Sequence, residues 1–244
     1  MEKKIIVSGA NGFTGRYVCL ELKKRKIPFI ALLRPKTDSS WFNSQSISCR
    51  YSDLRDTEKL RRELNDCEIL LNIASIGFGS ASSIVKACEE AGIKRAVFIS
   101  TTAIFTRLNA SSKSIRKQAE LEIRNSSLKW TILRPTMIFG SSNDRNIVKL
   151  IKWIDKYPIL PIFGSGNHLQ QPVFVKDIAW SVVEIIDNQE TFFEDFNLSG
   201  STPITYKDMI NIIEKILSKK IIKLFISSKI SIIFLKILEF AKIK

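Results

Sequence analysis

Near the N-terminus, three glycines at intervals of three residues follow directly after a short apolar segment. The segment Lys4–Ser8 predicts a strand, and Gly9, Gly12 and Gly15 lead into an amphipathic stretch that predicts a helix. A helix N-terminus presents unpaired N–H groups and partial positive charge, so glycines at this junction favour phosphate. The spacing predicts a cradle for a dinucleotide pyrophosphate, in which Gly9 makes the tight turn, Gly12 admits the phosphates and Gly15 lets helix and strand pack closely.

The same alternation of apolar runs and amphipathic stretches continues through the first two-thirds of the chain. Further strands are predicted at Phe29–Leu33, Ile69–Ile73, Ala96–Ser100 and Trp130–Leu133, and helices near Gly12–Lys26, Thr57–Asn65, Ala81–Ala91 and Ser114–Asn125. Strands that alternate with helices are typical of βαβ units. We therefore expect an α/β fold, a Rossmann-type doubly wound parallel sheet with helices on both faces.

The alternation of apolar and amphipathic segments stops after Arg134-Pro135. Turn residues follow at 140–143, and prolines and glycines are frequent between Pro158 and Gly166. We expect an NAD(P)-binding Rossmann domain over residues 1–140. Residues 141–244 are expected to form a small mixed α/β substrate lobe that ends in an amphipathic helix.

The chain is strongly basic, with 38 Lys and Arg against 24 Asp and Glu and a formal net charge of +14. Such an excess admits nucleic acid, a membrane surface or a phosphorylated ligand as partner. The cluster Lys23–Lys26 ends the first predicted helix without interleaved aromatic residues. Nucleic-acid binding is therefore not expected.

Metal chemistry and secretion are also disfavoured by the residue inventory. The four cysteines form no CxxC pair and His168 is the single histidine, so we expect no metal site. The apolar run near the N-terminus is too short for a signal peptide. We expect a cytoplasmic protein with reduced thiols.

The GxxGxxG run resembles the short-chain dehydrogenase/reductase superfamily, in its extended or atypical, NAD-dependent epimerase/dehydratase-like branch. Further segments resemble that family in the same order along the chain: Tyr51–Leu54, Asn72–Ser75, Ser100–Phe105, Leu133–Gly140 and Pro172–Ala179. The resemblance covers residues of about 4 to 185. It implies cofactor contacts from Gly9, Asn11, Gly12, Phe13, Thr14, Gly15, Arg34, Asp53, Leu54, Ile73, Ala74, Ser75 and Pro135.

Arg34 bears on the choice of dinucleotide. It ends the second predicted strand about 20 residues after the glycines, where an NAD site places an acidic residue for the ribose 2′-hydroxyl. A guanidinium instead offers a fork for a 2′-phosphate, so NADP is expected, with NAD as the alternative. A second interpretation keeps Arg34 as a solvated loop residue near Asp38.

The resemblance also exposes a missing active-site pair. Members of the family use a Tyr-x-x-x-Lys pair as acid/base and ribose anchor, and alignment on Glu120 places Ser112 and Arg116 at those two positions. Arg116 keeps a positive charge that can hold ribose or phosphate. Thr101 matches the family's Ser/Thr that polarises the substrate, although a threonine that caps a strand end is an equal alternative. Thr101 and Arg116 are the candidate catalytic residues.

Two functions follow from the resemblance. The first is an NAD(P)-dependent epimerase/dehydratase or reductase that acts on a nucleotide sugar or a similar phosphorylated substrate. The second is a non-catalytic NADP(H)-binding protein with a structural or sensor role, like the nucleotide-binding accessory subunit of respiratory complex I. The absent Tyr-Lys pair keeps the second alternative open.

The C-terminal segment holds much of the excess charge. Lys207–Lys244 contains nine lysines and three acids, and the pattern from Lys229 onward predicts an amphipathic helix with a wide apolar face. Such a helix packs on the second lobe and a partner subunit, as in a homodimer, or makes a peripheral contact with an anionic membrane. Packing is favoured, because the family ends its substrate lobe with helices of this kind.

Overall fold

The structure is a computed structural model that describes residues 3–107, 111–144 and 146–227. The helices and strands in chain order are β1 (Ile5–Ser8), α1 (Phe13–Lys24), β2 (Phe29–Leu33), α2 (Ser40–Ser44), β3 (Ser48–Tyr51), α3 (Thr57–Leu64), β4 (Ile69–Asn72), α4 (Ala81–Ala91), β5 (Arg95–Ile99), α5 (Ser111–Arg124), β6 (Lys129–Pro135), β7 (Ile138–Phe139), α6 (Ile147–Lys156), β8 (Ile159–Phe163), β9 (Leu169–Gln170), β10 (Val173–Phe174), α7 (Val175–Glu184), β11 (Glu194–Leu198), β12 (Ile204–Thr205), α8 (Tyr206–Leu217) and β13 (Ile222–Ile226). Short 3₁₀ helices cover Ile76–Phe78, Thr102–Phe105 and Gln189–Thr191.

Within the described residues, seven parallel strands form the main sheet in the order β11-β6-β5-β4-β1-β2-β3. The strand order reverses direction at β1, which is the topological switch point of a doubly wound fold. The predicted Rossmann-type parallel sheet is therefore confirmed. The five predicted strands are β1, β2, β4, β5 and β6, while β3 and β11 were not predicted.

The central strands are buried on both faces. Every residue of β1, β4 and β5 is buried, as expected for a parallel sheet covered by helices on each side. The core beside them includes Ile6, Leu70 and Phe98 of the sheet and Ile84 and Ile123 of the covering helices. This packing fixes the strand ends from which the candidate site is built.

The chain divides into two compact units. The first contains the residues up to Thr136 together with Val173–Ser199, and the second contains Met137–Pro172 and the described residues from Gly200 onward. This division differs from the single boundary predicted after residue 140. The reason is that β11 adds to the main sheet beside β6 and that α7 packs against α1.

The second unit is small and mixes helices with strand pairs. Strands β8 and β13 are parallel, β9 and β12 are antiparallel, and α6 and α8 share an apolar core with β8 that includes Ile154, Ile162 and Ile210. Helix α6 is capped by the buried Asp144, whose Oδ1 accepts the N–H groups of Asn146 and Val148 at 3.0 and 2.9 Å.

The predicted amphipathic helix from Lys229 to Lys244 lies outside the described residues. The predictions of a partner contact or a membrane contact through it fall outside them as well. In the part of the chain that the structure describes, no helix is long and apolar enough to cross a bilayer.

Candidate functional site

The predicted site residues follow the carboxyl ends of neighbouring strands. Ser8 at the end of β1 stands in register with Leu32 of β2 and Asn72 of β4, and Asn72 stands in register with Phe98 of β5. The loops that begin at Gly9, Arg34, Ile73 and Ser100 therefore all leave the sheet on the same side, at the carboxyl ends of its strands. In open α/β sheets this is the edge where ligands bind.

Backbone packing in the loop after β1 excludes side chains at two of the three glycines. Gly9 has φ +70°, and a Cβ atom there would lie 2.4 Å from the nitrogen of Ala74. A Cβ atom on Gly15 would lie 2.1 Å from the carbonyl oxygen of Gly9. Both distances are far below van der Waals contact, so the loop, the end of β4 and helix α1 approach as closely as the sequence pattern predicts.

Gly12 differs from the other two glycines. Its N–H donates to the carbonyl oxygen of Gly9 at 2.9 Å, it has an ordinary φ of −73° as the residue before α1, and a Cβ atom would meet that oxygen at 3.2 Å. A Cβ atom there requires the Gly9 carbonyl to move by a few tenths of an ångström, a far smaller displacement than at Gly9 or Gly15. Gly12 is exposed, and helix α1 begins with neither a capping side chain nor an acidic residue in its first turn. Its N-terminal charge is therefore open to an anion.

A buried hydrogen-bond chain holds the loop after β4 against the glycine loop. Ser8 Oγ donates to Asn72 Oδ1 at 2.6 Å, and Asn72 Nδ2 donates to the carbonyl oxygen of Ala74 at 3.0 Å. The N–H of Ile73 donates to the carbonyl oxygen of Ser8 at 3.0 Å. Sequence reasoning missed this bracing role of Ser8 and Asn72. Its signal is a polar residue at the end of each of two otherwise apolar, buried strands.

The remaining predicted cofactor residues lie at the same edge of the sheet. Phe13 and Thr14 are half-buried in the first turn of α1, and Phe13 packs edge to face on Tyr17 with ring centroids 5.7 Å apart. Ser75 is exposed, and its Oγ accepts the N–H of Gly77. Three others are at least half-buried: Leu54, Ile73 and Pro135.

Arg34 and Asp53 lie close enough to interact electrostatically after β2 and β3. Hydrogen bonds from Arg55 hold the pKa of Asp53 below its ordinary value, with a smaller contribution from the charge of Arg34. The guanidinium of Arg34 is exposed and, among the described residues, donates no hydrogen bond and forms no ion pair. Asp38 forms no ion pair with it among the described residues, and its carboxylate accepts the N–H and the hydroxyl of Ser40. The guanidinium of Arg34 is therefore available to a ligand.

Thr101 follows β5 and caps the 3₁₀ helix Thr102–Phe105. Its Oγ1 accepts the N–H of Ala103 at 3.2 Å. This contact fits the alternative interpretation in which Thr101 caps the end of the strand. A hydroxyl that accepts one hydrogen bond keeps its own hydrogen, so Thr101 can still donate to a carbonyl oxygen.

Ser112 and Arg116 lie in the first half of α5. The guanidinium of Arg116 is half-buried and lies against Gly77, where a Cβ atom would come within 2.8 Å of Arg116 Nε. Arg116 Nη1 donates to the carbonyl oxygen of Ser112 at 3.4 Å. No tyrosine occurs in α5. The helix therefore supplies a cation and a hydroxyl, and it lacks the phenol that the sequence resemblance implies as an acid.

A buried ion-pair network lies beneath the end of β5. Ser100 Oγ donates to Glu120 at 2.6 Å, Arg134 Nε donates to Glu120 at 2.9 Å, and Asp195 bridges Arg134 and Arg124. Burial raises the pKa of Asp195, but hydrogen bonds from the two arginines outweigh this effect and leave the pKa lowered. The network joins β5, α5, β6 and β11, so it holds the strand ends of the site in place.

Metal ligation is not indicated in the described residues, where no three side chains of His, Cys, Asp or Glu lie together in a suitable arrangement. The four cysteines are free. Burial raises the pKa of Cys19 to about 12 and that of Cys67 to about 11, so neither is a ready nucleophile.

Comparison with known proteins agrees with this geometry. The sequence profile of the NAD(P)H-binding family matches residues 9–152, more than half of the chain. The mitochondrial NADH dehydrogenase [ubiquinone] 1 alpha subcomplex subunit 9 of Arabidopsis thaliana is 25% identical over 228 residues, which cover 84% of this chain and 56% of the relative. Such subunits from four organisms match, and the chain spans only 56–62% of their length.

Epimerases are similar over more of their length. The N-acetyl-alpha-D-glucosaminyl-diphospho-ditrans,octacis-undecaprenol 4-epimerase of Escherichia coli O157:H7 is 22% identical over 254 residues, covering 91% of this chain and 74% of the relative. The crystal structure of UDP-glucuronic acid 4-epimerase from Bacillus cereus in complex with NAD superposes with a TM-score of 0.77 at 20% identity, covering 93% and 88% of the two chains. That likeness establishes the fold.

The matched residues include the whole glycine loop, the ends of β4 and β5, and the buried strands between them. The chain belongs to the NAD(P)H-binding family.

Proposed function

We propose that this chain binds NADP(H) at the carboxyl edge of its main sheet. The observation that carries the proposal is the contact of Gly9 with the backbone of Ala74 and of Gly15 with Gly9, because only glycine fits both positions. These contacts place the N-terminus of α1 beside the segment Ile73–Ser75. A pyrophosphate at the helix N-terminus would accept hydrogen bonds from backbone N–H groups near Gly12.

The preference for NADP(H) over NAD(H) rests on Arg34. The end of β2 carries no carboxylate for a ribose 2′-hydroxyl, and the exposed guanidinium has free donors for a 2′-phosphate. We expect NADPH to bind at least about tenfold more tightly than NADH, since a charge-assisted hydrogen bond contributes roughly 1.5–3 kcal/mol. Arg34→Gln should remove most of that difference in a calorimetric titration. Equal affinities in the wild type would contradict the preference.

The first candidate activity is epimerisation, dehydration or carbonyl reduction of a nucleotide sugar or a similar phosphorylated substrate. Both similar epimerases act, as their names state, on a sugar attached to a diphosphate. When bound, the nicotinamide would supply a hydride for carbonyl reduction, or in its oxidised form would accept one and return it in epimerisation or dehydration. The Thr101 hydroxyl would donate a hydrogen bond to the substrate carbonyl oxygen, and Arg116 would hold a ribose or a phosphate.

The second candidate is a non-catalytic NADP(H)-binding protein with a structural or sensor role. The observation that favours it is the pair Ser112 and Arg116 on α5, since an unactivated serine hydroxyl is a poor proton donor at neutral pH. The similarity to the NADH dehydrogenase subunit points in the same direction.

Turnover separates the two candidates. The protein is incubated with NADPH and a panel of UDP- and dTDP-4-keto sugars, and cofactor oxidation and new sugar isomers are measured. Turnover that is lost in Thr101→Ala, with NADPH affinity unchanged, would support the enzyme. Tight NADPH binding without any change across the panel would support the binding protein.

A further inference from the structure

Arg16, in the first turn of α1, has a fixed position that the predicted cofactor contacts leave unexplained. Its Nη2 and Nε donate to Asn11 Oδ1 at 2.8 and 3.3 Å, and its guanidinium lies 4.8 Å from the centre of the Trp41 ring. The amide fixes one edge of the guanidinium and the indole fixes one face. Such a group has little side-chain entropy left to lose on binding a ligand.

The two anchors place Arg16 between two loops of the candidate site. Asn11 belongs to the glycine loop, and Trp41 belongs to α2, which follows the loop after β2. Arg16 also interacts electrostatically with Asp38 in that loop. Because Arg34 begins the same loop, both arginines border the position where the ribose of a bound dinucleotide is expected.

Most of the hydrogen-bonding capacity of Arg16 is unused. A guanidinium has five N–H donors, and Asn11 takes two of them. Within the described residues Asp38 feels the charge of Arg16 but forms no direct ion pair with it, and its two oxygens accept hydrogen bonds from Ser40. Three donors therefore remain on a half-buried, oriented cation.

We propose that Arg16 is a second specificity-determining residue, which binds the 2′-phosphate of NADP(H) together with Arg34. The inference rests on the proposed preference for NADP(H). A 2′-phosphate carries close to two negative charges, and two guanidinium groups match that charge better than one. Arg16 also offsets the repulsion between this phosphate and the carboxylate of Asp38.

The experiment compares two probes that differ only in the 2′-phosphate, adenosine 2′,5′-bisphosphate and AMP, by calorimetry. In Arg16→Gln we expect the affinity for the bisphosphate to fall about 10- to 100-fold and that for AMP to change less than about twofold. Arg16→Lys keeps the charge without the planar fork and should fall between wild type and Arg16→Gln. Lys24→Gln is the matched control, since it removes one exposed charge from the other end of α1 and should change neither affinity.

The other possible outcomes of this experiment would each contradict a different part of the proposal. Equal loss of both probes in Arg16→Gln would make Arg16 a brace of the glycine loop, and unchanged bisphosphate affinity would remove it from the site. If the wild type itself does not distinguish the two probes, the preference for NADP(H) fails first. Should Arg16→Gln not fold, as judged by circular dichroism, Trp41→Leu removes one anchor and should weaken bisphosphate binding alone.

Discussion

The ends of β1 and β5 lie in the same sheet and differ in what they require of the sequence. At the end of β1 the requirement is on the backbone, since Gly9 and Gly15 leave no room for a Cβ atom. On helix α5, which follows β5, the requirement is on side chains, and Ser112 and Arg116 stand at the two positions where the sequence resemblance leads us to expect Tyr and Lys. Cofactor binding can therefore persist where the usual acid/base pair has been replaced.

The largest effect is expected beneath the end of β5. Glu120→Ala removes the carboxylate that pairs with Arg134 and accepts from Ser100, and it leaves a buried cation short of a partner. We expect a loss of about 3 kcal/mol in the free energy of unfolding, measured by urea denaturation. Glu122→Ala on the same helix is the control and should cost less than about 0.5 kcal/mol. A small loss in Glu120→Ala would mean that the network does not hold this end of the sheet.

The next effect isolates the glycine loop. Gly12→Asp places a carboxylate at the N-terminus of α1, where a pyrophosphate would bind, and its Cβ atom requires the Gly9 carbonyl to move by only a few tenths of an ångström. We expect NADPH affinity to fall more than about 100-fold through steric and like-charge repulsion, with little change in melting temperature. Gly12→Ala should keep most of the affinity. Full-strength NADPH binding in Gly12→Asp would contradict the phosphate cradle.

A smaller effect is expected from a substitution at Gly77, which displaces the side chain of Arg116 without replacing it. Gly77→Ala introduces a Cβ atom 2.8 Å from Arg116 Nε, and the flexible side chain can move away at little cost in stability. If Arg116 holds a ribose or a phosphate, Arg116→Gln should weaken NADPH or substrate binding about tenfold and Gly77→Ala about threefold. Lys117→Gln serves as the control for charge. Unchanged binding in both variants would exclude Arg116 from ligand contact.

The smallest effect concerns pH. The pKa of Asp195 is lowered from its ordinary value of 3.8, because hydrogen bonds from Arg134 and Arg124 outweigh burial. Its contribution to stability is therefore present above about pH 4 and lost as the pH falls further. We expect the unfolding free energy of Asp195→Asn to depend less on pH in this range than that of the wild type. Parallel pH profiles would contradict this role.

The buried inner strands of the sheet are predictable from the sequence, whereas its two outermost strands are difficult to predict. Apolar runs mark the five inner strands, whereas β3 and β11 are half-exposed edge strands that carry Arg50, Glu194 and Asp195. Their sequences lack the continuous apolar signal of a central strand. The return of Val173–Ser199 to the first unit was missed for the same reason.

The candidate site divides in a similar way. Glycine spacing is a local pattern, so the sequence alone predicts the turn after β1. The contacts of Ser8 with Asn72, 64 residues apart, and of Arg16 with Trp41 depend on how separate segments pack, which no local pattern encodes. The position of Arg116 against Gly77 is another contact of this kind.

The most direct measurement is a calorimetric titration of the folded wild-type protein with NADPH, followed by NADH. We expect saturable binding of one NADPH per chain in the micromolar range, with NADH at least about tenfold weaker. A folded protein that binds neither dinucleotide would show that the loop from Gly9 to Gly15 is not a cofactor cradle.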